Sequence, residues 1–335
     1  MIRTVPESLR WARELVDPVL KDAVDRLEPD IRAVVTYHLG WANEDGSPTR
    51  ADGGKAVRPT LTLLAAEAAG ADARTALPAA AAIELVHNFS LLHDDVMDRD
   101  RERRHRPTAW ALFGEARAIV AGDALLALAL EILLDEPTPE RVRAASSLAH
   151  ATSGMVAGQS EDLAFESRLD VTFEECLEMC GHKTGALLAS ACEMGALLAG
   201  AGPEVVRALS GFGLHLGLSF QAVDDLLGIW GRPEATGKPA WSDLRQHKKT
   251  LPVVAALAGS GGDRLRALLA NGHLDEDSIA RSARLVEEGG GRDGTEQEAR
   301  RHLREALGLL QLASLDRGGA ERLAELAHFV VGRDF

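Results

Sequence analysis

The stretch HNFSLLHDDVMDRD, residues 87–100, is the most informative part of this sequence. It ends a long apolar run that predicts a buried helix, with Asp94, Asp95 and Asp98 at the end of that helix. Asp94 and Asp98 are four residues apart, so they share one helix face, with Asp95 at its edge. Carboxylates beside a buried segment are costly to desolvate unless cations compensate them. The spacing therefore predicts a cation site.

A second acidic pair, Asp224 and Asp225, lies in the stretch SFQAVDDLLGIWG, residues 219–231, and also follows an apolar helical run. Two such helix faces looking at each other across a cavity would hold several Mg²⁺ ions, which are hard cations that take carboxylate and phosphate oxygens. This arrangement predicts an enzyme that removes a diphosphate group from its substrate.

The composition limits the class of protein. A length of 335 residues is compatible with two domains of about 150 residues or with one large helical domain, and no linker argues for a split. The formal charge of −14 weighs against a nucleic-acid partner, because phosphate backbones select basic surfaces. A diphosphate ligand on such an acidic protein would need metal ions and a few well-placed lysines or arginines.

The sequence carries no targeting or disulfide signal. The N-terminus lacks an apolar signal core and no run of 18 apolar residues occurs, so we expect a cytoplasmic protein without an integral membrane segment. No second Cys or His pair near Cys176, Cys180 and Cys192 completes a zinc site, so we expect reduced core cysteines.

Helical periodicity dominates the chain, and no convincing β-alternation is present. The predicted long helices cover residues 6–27, 29–39, 55–70, 76–102, 115–134, 138–165, 171–200 and 203–230. Shorter helices are predicted near residues 249–258, 263–271, 276–288, 294–315 and 319–331. The loop over residues 231–247 follows the second acidic pair, and loops of that length in a compact domain are typical of functional lids.

Basic residues stand at several points where an anion would bind. Arg103 and Arg104 lie just beyond the first aspartates, and arginine presents a planar fork that matches phosphate oxygens in pairs. Lys55 and Arg58 share a helix face after a glycine loop, a weak signal for phosphate when taken alone.

Polar residues also interrupt two apolar helices, at Gln159 and Asp162 and at the adjacent Lys183 and Thr184. Buried polar groups must find partners, so core hydrogen-bond pairs are an equally good interpretation of each.

Eight motifs occur in order: GKAVRP (54–59), HNFSLLHDDVMD (87–98), RR before RPT (103–108), GQSEDL (158–163), HKTGALL (182–188), FQAVDD (220–225), TGKP (236–239) and SDLRQHKKTLP (242–252). Together they resemble the trans-isoprenyl diphosphate synthases of the polyprenyl synthetase family, and most of all the geranylgeranyl diphosphate synthases. The resemblance implies one all-α domain over residues 1–335, a helical bundle around a central apolar cavity, that forms a homodimer. It also implies the condensation of isopentenyl diphosphate with an allylic diphosphate.

The resemblance assigns a role to each matching residue. Three Mg²⁺ ions would be bound by Asp94, Asp95, Asp98 and Asp224, with Asp225 in support. The allylic diphosphate would contact Arg103, Lys183 and Lys238, and the developing allylic cation would face Thr184 and Gln221. The isopentenyl diphosphate would be held by Lys55, Arg58, His87 and Arg104. Substrate binding would further involve Gln159 and Lys248.

The second acidic motif departs from the family pattern, because Gly228 stands where a third aspartate is usual. Three interpretations are open. Water replaces the missing carboxylate in an active enzyme, the specificity or turnover is altered, or the chain is a non-catalytic partner subunit. The first interpretation is favoured by residues that match the family pattern after position 228, namely Lys238, Asp243 and Lys248.

The residues just before the first motif indicate the product length. In the family the growing chain often stops at a bulky side chain four or five residues before this motif, which here are Ser90 and Phe89. A single aromatic at the fifth position resembles geranylgeranyl synthases, so a C20 product is predicted and C15 is the alternative. A class I terpene cyclase would also ionise a diphosphate but would not need Lys55, Arg58 and Arg104.

Overall fold

The computed structural model describes residues 6–49, 54–231, 240–270, 275–312 and 314–332. The chain divides into two compact units. Unit 1 comprises Met1–Ala149, Ser190–Leu209 and Ala313–Leu323, and unit 2 comprises His150–Ala189, Ser210–Leu312 and Ala324–Phe335. The single domain expected over residues 1–335 stays a prediction.

The described part of the chain is almost entirely helical, which confirms the all-α class. The helices up to residue 134 are α1 (Glu7–Val24), α2 (Pro29–His38), α3 (Val57–Ala68), α4 (Leu77–Met97), α5 (Ala109–Phe113) and α6 (Glu115–Leu134). Those up to residue 230 are α7 (Pro139–Glu166), α8 (Phe173–Cys180), α9 (Ala186–Leu198) and α10 (Pro203–Trp230). The remaining helices are α11 (Ser242–Arg245), α12 (Leu251–Ala258), α13 (Gly262–Leu269), α14 (Glu276–Glu288), α15 (Gly291–Leu312) and α16 (Arg317–Val331).

Two predicted helices differ from the observed ones. The helix predicted over residues 76–102 ends at Met97, and a two-stranded hairpin follows, with β1 at Glu102–Arg103 and β2 at Arg106–Pro107. The helix predicted over residues 171–200 contains a π-helical turn at Gly181–Gly185 between α8 and α9. Such turns often occur at functional sites.

The core of unit 1 forms around α4, which packs against α1, α3 and α6. Every residue from Ala79 to Val86 in α4 is buried. Full burial of one Ile or Leu side chain contributes about 1.5–3 kcal/mol, so this helix is held by its apolar run. In the described residues one segment, Ala73–Met97, is long and apolar enough to cross a membrane, but 67% of that window is buried inside the protein.

The core of unit 2 joins α8, α10, α12 and α15 through Cys176, Leu218, Val223, Leu251 and Ala299. A capping box begins α8, because Thr172 accepts from the backbone N–H of Glu175 and Glu175 accepts from that of Thr172. All three cysteines are buried and free, as expected.

Candidate active site

The first acidic motif occupies the last turn of α4, and its three carboxylates do not share one environment. Asp94 and Asp98 are half-buried on the same face. Asp95 points inward with 2% of its surface exposed, and its Oδ1 accepts from Nε and Nη2 of Arg103, each at 2.8 Å. Burial raises the pKa of Asp95, and Arg103 opposes that rise. The residue assigned to Mg²⁺ binding thus anchors a residue assigned to diphosphate binding.

The hairpin after α4 positions Arg103 and Arg104. Arg103 pairs with Arg106 across the strands, and the turn residues Arg104 and His105 have φ values of 52° and 60°. Turns with two left-handed residues usually contain glycine or asparagine, and other residues there cost about 1–3 kcal/mol each. The absence of that turn signal is why the sequence did not predict the hairpin.

Arg104 of the hairpin contacts the glycine loop that precedes α3. Its guanidinium lies against Gly54, whose φ is 94°, and a Cβ at this position would be 3.0 Å from Cζ of Arg104. A side chain at this position would be strained by the left-handed backbone and would displace the Arg104 guanidinium. Arg58 lies nearby in the first turn of α3, and the exposed Lys55 precedes that helix.

Arg58, Arg103 and Arg104 form an arginine cluster that dominates the electrostatics of this part of unit 1. Burial lowers the pKa of His87 well below its usual value, and the three arginines lower it further, so the imidazole is neutral near pH 7. Burial raises the pKa of Glu84, although Arg58 and Arg104 oppose this. Glu84 was not singled out from the sequence, although it is the one charged residue in an apolar run.

Two cavities lie in unit 1, and Arg103 and Arg104 of the arginine cluster line the smaller one but not the larger. The larger, about 830 Å³, is lined by Arg13, Lys21, Trp41, Pro59 and Glu84 among others, a volume within the range of small-molecule sites. The smaller, about 20 Å³, is lined in part by His38, Asp95 and Arg103 and is large enough for one water.

The second acidic motif lies in α10 and carries a chain of hydrogen bonds. Thr184 Oγ1 donates to Gln221 Oε1 at 2.7 Å, and Gln221 Nε2 donates to Asp225 Oδ1 at 2.7 Å. The backbone N–H of Leu251 donates to Asp225 Oδ2 at 3.0 Å. Burial raises the pKa of Asp225 to about 7, and the carboxylates of Asp243 and Asp224 add to this rise. The hydrogen bonds from Leu251 and Gln221 oppose it.

The GQSEDL and HKTGALL motifs meet in unit 2. Lys183 Nζ donates to Asp162 Oδ2 at 2.6 Å, and His182 Nδ1 lies 3.1 Å from Glu161 Oε2. Gly158 permits this approach, because a Cβ there would lie 2.5 Å from the backbone nitrogen of Lys183. The predicted substrate residue Gln159 is on the same helix, with its Oε1 buried and without a hydrogen-bond partner in the described structure.

Of two adjacent lysines, Lys249 is buried and donates to the carbonyls of Glu166 and His247 at 3.1 and 2.8 Å. Lys248, which was predicted to bind substrate, is half-buried. Lys238 lies outside the described residues, together with the rest of residues 232–239 in the predicted lid over residues 231–247.

Gly228 faces the carboxylate of Asp243. A Cβ added to Gly228 would overlap that carboxylate and would lie 2.8 Å from its Oδ1. Ser242 Oγ lies 3.2 Å from both the Gly228 carbonyl and Asp243 Oδ1. The space that a side chain at position 228 would fill is therefore taken by another acidic residue.

The predicted chain-length residues lie in α4. Phe89 is buried and packs edge-on against His93, with ring centroids 4.8 Å apart. Gly122 in α6 lies against both rings, and a Cβ there would be 3.4 Å from Phe89 Cδ2. Ser90 is half-buried and donates to the His87 carbonyl at 2.9 Å.

The donor set fits Mg²⁺ that binds together with its substrate. Across the described ranges, no three His, Cys, Asp or Glu side chains form a preformed metal site. Mg²⁺ is usually held by one or two carboxylates plus substrate phosphates and water, which suits the Asp94–Asp98 pair and Asp224. In unit 2 the Asp243 carboxylate lies where a side chain at Gly228 would stand, four residues after Asp224 on α10, so a further oxygen donor is present in that part of the unit.

Both the fold and the sequence of this chain are similar to those of known proteins. The all-α fold with two aspartate-bearing helices matches a polyprenyl synthetase from Streptomyces coelicolor A3(2), with a TM-score of 0.93, 50% identity, and coverage of 98% of this chain and 100% of that one. Residues 44–286 match the polyprenyl synthetase family. The chain is a member of that family and a short-chain trans-prenyltransferase.

Two curated relatives from Mycobacterium tuberculosis differ in product. A (2E,6E)-farnesyl diphosphate synthase is 52% identical over 99% of this chain and 94% of its own length. A geranylgeranyl diphosphate synthase is 44% identical over 84% of this chain and 82% of its own length. These similarities favour a synthase over the terpene cyclase alternative.

Proposed function

We propose that this prenyltransferase condenses isopentenyl diphosphate with an allylic diphosphate, using Mg²⁺, to lengthen an isoprenyl chain by five carbons. The observation that carries the proposal is the arginine cluster of Arg58, Arg103 and Arg104 around His87, in which Asp95 holds Arg103 and Arg104 lies against Gly54. Three guanidinium groups and the N–H group of a neutral His87 can donate hydrogen bonds to diphosphate oxygens.

The residues of the chain would bind, orient and shield the reactants. Arg104, Arg58 and His87 would hold the isopentenyl diphosphate, and Arg103 and Lys183 would orient the allylic diphosphate. Gln221, fixed by Thr184, would turn its amide toward the developing cation. When bound, Mg²⁺ supplies positive charge that stabilises the departing diphosphate. An apolar cavity would exclude water from the cation, and the released diphosphate would accept the proton lost from the new chain.

A product assay tests this function. The protein would be incubated with Mg²⁺, isopentenyl diphosphate and, in turn, C5, C10 and C15 allylic diphosphates, and the prenyl alcohols would be analysed after dephosphorylation. Elongation with at least one starter is expected. No elongation with any starter by folded protein would overturn the proposal and favour a non-catalytic partner subunit.

We propose C20 as the product, because Phe89 is the large side chain five residues before Asp94 and the next position holds the small Ser90. A C15 product is the second candidate, favoured by the 52% identity to a farnesyl diphosphate synthase.

The Phe89→Ala variant should make longer products than the wild type. Phe113→Ala is the matched control, since Phe113 packs edge-on against Tyr37, with ring centroids 5.4 Å apart, and lies in another helix of unit 1. An unchanged product from Phe89→Ala would remove Phe89 as the stop. A C15 product from the wild type would establish the second candidate.

The protein is further proposed to be a cytoplasmic homodimer. Ile119, Val120 and Leu134 expose 41%, 50% and 43% of their surfaces on α6, and an interface that covers this helix would remove these apolar groups from water. Sedimentation equilibrium should give twice the chain mass, and Val120→Glu should shift it toward the monomer. A monomeric wild type would contradict this.

A further inference from the structure

His38 and Asp95 line the same small cavity of unit 1, and each has one polar atom without a hydrogen bond. His38 is the last residue of α2, lies in none of the eight motifs, and shares with Asp95 the cavity of about 20 Å³. His38 Nε2 and Asp95 Oδ2 are both buried and have no hydrogen-bond partner among the described residues. Because buried polar atoms are nearly always paired, two such atoms at one cavity indicate a shared partner.

One water molecule fits this cavity and can satisfy both atoms. A cavity of about 10–15 Å³ is enough for a water, which usually makes about three hydrogen bonds when buried. Burial, Arg103 and Arg104 lower the pKa of His38 to about 3, with the Asn88 side chain opposing, so the ring is neutral near pH 7. A neutral imidazole has one N–H donor. With that hydrogen on Nε2, His38 would donate to the water, and the water would donate to Asp95 Oδ2.

The residue before His38 ties the end of α2 to the hairpin that carries Arg103. Tyr37 Oη donates to the Pro107 carbonyl at 2.8 Å, and Arg106 Nη1 donates to the Tyr37 carbonyl at 3.3 Å. The Arg106 guanidinium also lies over the Tyr37 ring, 4.3 Å from its centroid. These contacts on both sides of Tyr37 hold the end of α2 against the hairpin, and His38 is thereby held at the cavity.

We propose that His38 positions the Asp95 carboxylate through one buried water molecule and thereby orients the Arg103 guanidinium. Asp95 Oδ1 already accepts two hydrogen bonds from Arg103, each at 2.8 Å. A water on Oδ2 would fix the other end of the carboxylate, so that the whole group keeps the plane in which Arg103 meets it. His38 is a positioning residue and does not touch substrate. This inference rests on the proposed function, in which Arg103 orients the allylic diphosphate.

A crystal structure of the wild-type protein tests the water directly. Its electron density should show one water molecule within about 3.2 Å of both His38 Nε2 and Asp95 Oδ2. An empty cavity, or a water that bonds to only one of the two atoms, would overturn the inference.

Two substitutions at position 38 separate the loss of the hydrogen bond from the loss of the ring. A glutamine amide reaches as far from the backbone as Nε2 of histidine, whereas an asparagine amide reaches only as far as Nδ1. His38→Gln should therefore bind inorganic diphosphate, in the presence of Mg²⁺, with nearly wild-type affinity. His38→Asn should bind it about tenfold more weakly, the effect of losing a hydrogen bond in a charged network, as measured by isothermal titration calorimetry.

The Arg103→Ala background distinguishes positioning from a general structural effect. His38→Asn should weaken diphosphate binding no further in that background, because its effect is transmitted through Arg103. His328→Asn, at an exposed histidine of α16, is the matched control and should bind like the wild type. Circular dichroism and Tm establish that each variant is folded.

Two binding results would contradict the inference: equal affinities of His38→Gln and His38→Asn, or an effect of His38→Asn that persists without Arg103. Failure of the wild type to elongate any starter would instead overturn the proposed function, because diphosphate binding and the water are both observed without turnover.

Discussion

Arg103 binds Asp95 through one oxygen only: Nε and Nη2 of the guanidinium both lie 2.8 Å from Oδ1. The second oxygen, Oδ2, is buried and has no hydrogen-bond partner among the described residues. One carboxylate oxygen of Asp95 thus accepts both hydrogen bonds from Arg103, and these contacts fix the orientation of the Arg103 guanidinium.

Removing both members of this pair should cost less than the sum of the two single removals. Asp95→Ala and Arg103→Ala should each lower the free energy of unfolding by about 3 kcal/mol, since a partly buried charge is left without its counter-charge. The double variant should lose less than the sum of the two, as measured by urea unfolding. Strict additivity would show that the pair contributes nothing as a pair.

Alanine variants of Gly54 and Gly46 would distinguish the effect of backbone strain from the effect of the contact with Arg104. Both have positive φ, 94° and 80°, but a Cβ on Gly46 would meet nothing within 4 Å. Each glycine-to-alanine change should cost about 1–3 kcal/mol of stability through the backbone. Only Gly54→Ala should also raise KM for isopentenyl diphosphate, because it displaces Arg104. Equal KM values in the two variants would argue against a role of this contact in binding.

Thr184 is expected to act through Gln221. Thr184→Val removes the donor to Gln221 Oε1, so the amide can rotate and present an acceptor to Asp225. We expect kcat to fall about tenfold or more and stability to fall by about 1–2 kcal/mol. Thr184→Ser keeps the hydroxyl and should retain most of the activity. A serine variant as impaired as the valine variant would show that the methyl group matters instead.

The contact between His215 and the buried His302 predicts acid sensitivity. Their Nδ1 atoms lie 2.8 Å apart, and burial, Arg301 and His215 lower the pKa of His302 to about 4, with Glu298 opposing. The unfolded state, with an ordinary histidine pKa near 6.5, then binds more protons between about pH 4 and 6.5. Stability from neutral His302 is present above that window and is lost as the pH falls through it.

His302→Gln should therefore flatten the pH dependence of unfolding. Between pH 7 and 5 the wild type should lose about 2 kcal/mol more than the variant, at about 1.36 kcal/mol for each pH unit below the unfolded pKa. His328→Gln, at a histidine exposed on α16, is the control and should follow the wild type. Parallel profiles for wild type and His302→Gln would contradict the prediction.

Local chemistry was sufficient to predict much of this protein. The apolar run before Asp94 specifies a buried helix whatever surrounds it, because its period and burial energy are properties of the segment itself. The same is true of α10 before Asp224, and the ordered motifs were enough to indicate the family. The boundaries of α6 were predicted as observed, residues 115–134.

Tertiary structure decided the features that depend on distant residues. No local sequence pattern shows that Asp95 points inward to Arg103 or that Arg104 contacts Gly54. Nor does one predict the hairpin that carries both arginines, because its turn lacks glycine. The pairing of Lys183 with Asp162 likewise requires two helices to meet. The sequence by itself determined the helices and the chemical groups available, because these follow from short-range periodicity and side-chain type. Only the folded structure decided which charges compensate each other, because Coulomb energy and steric exclusion, as between Gly228 and Asp243, depend on distances that the fold creates.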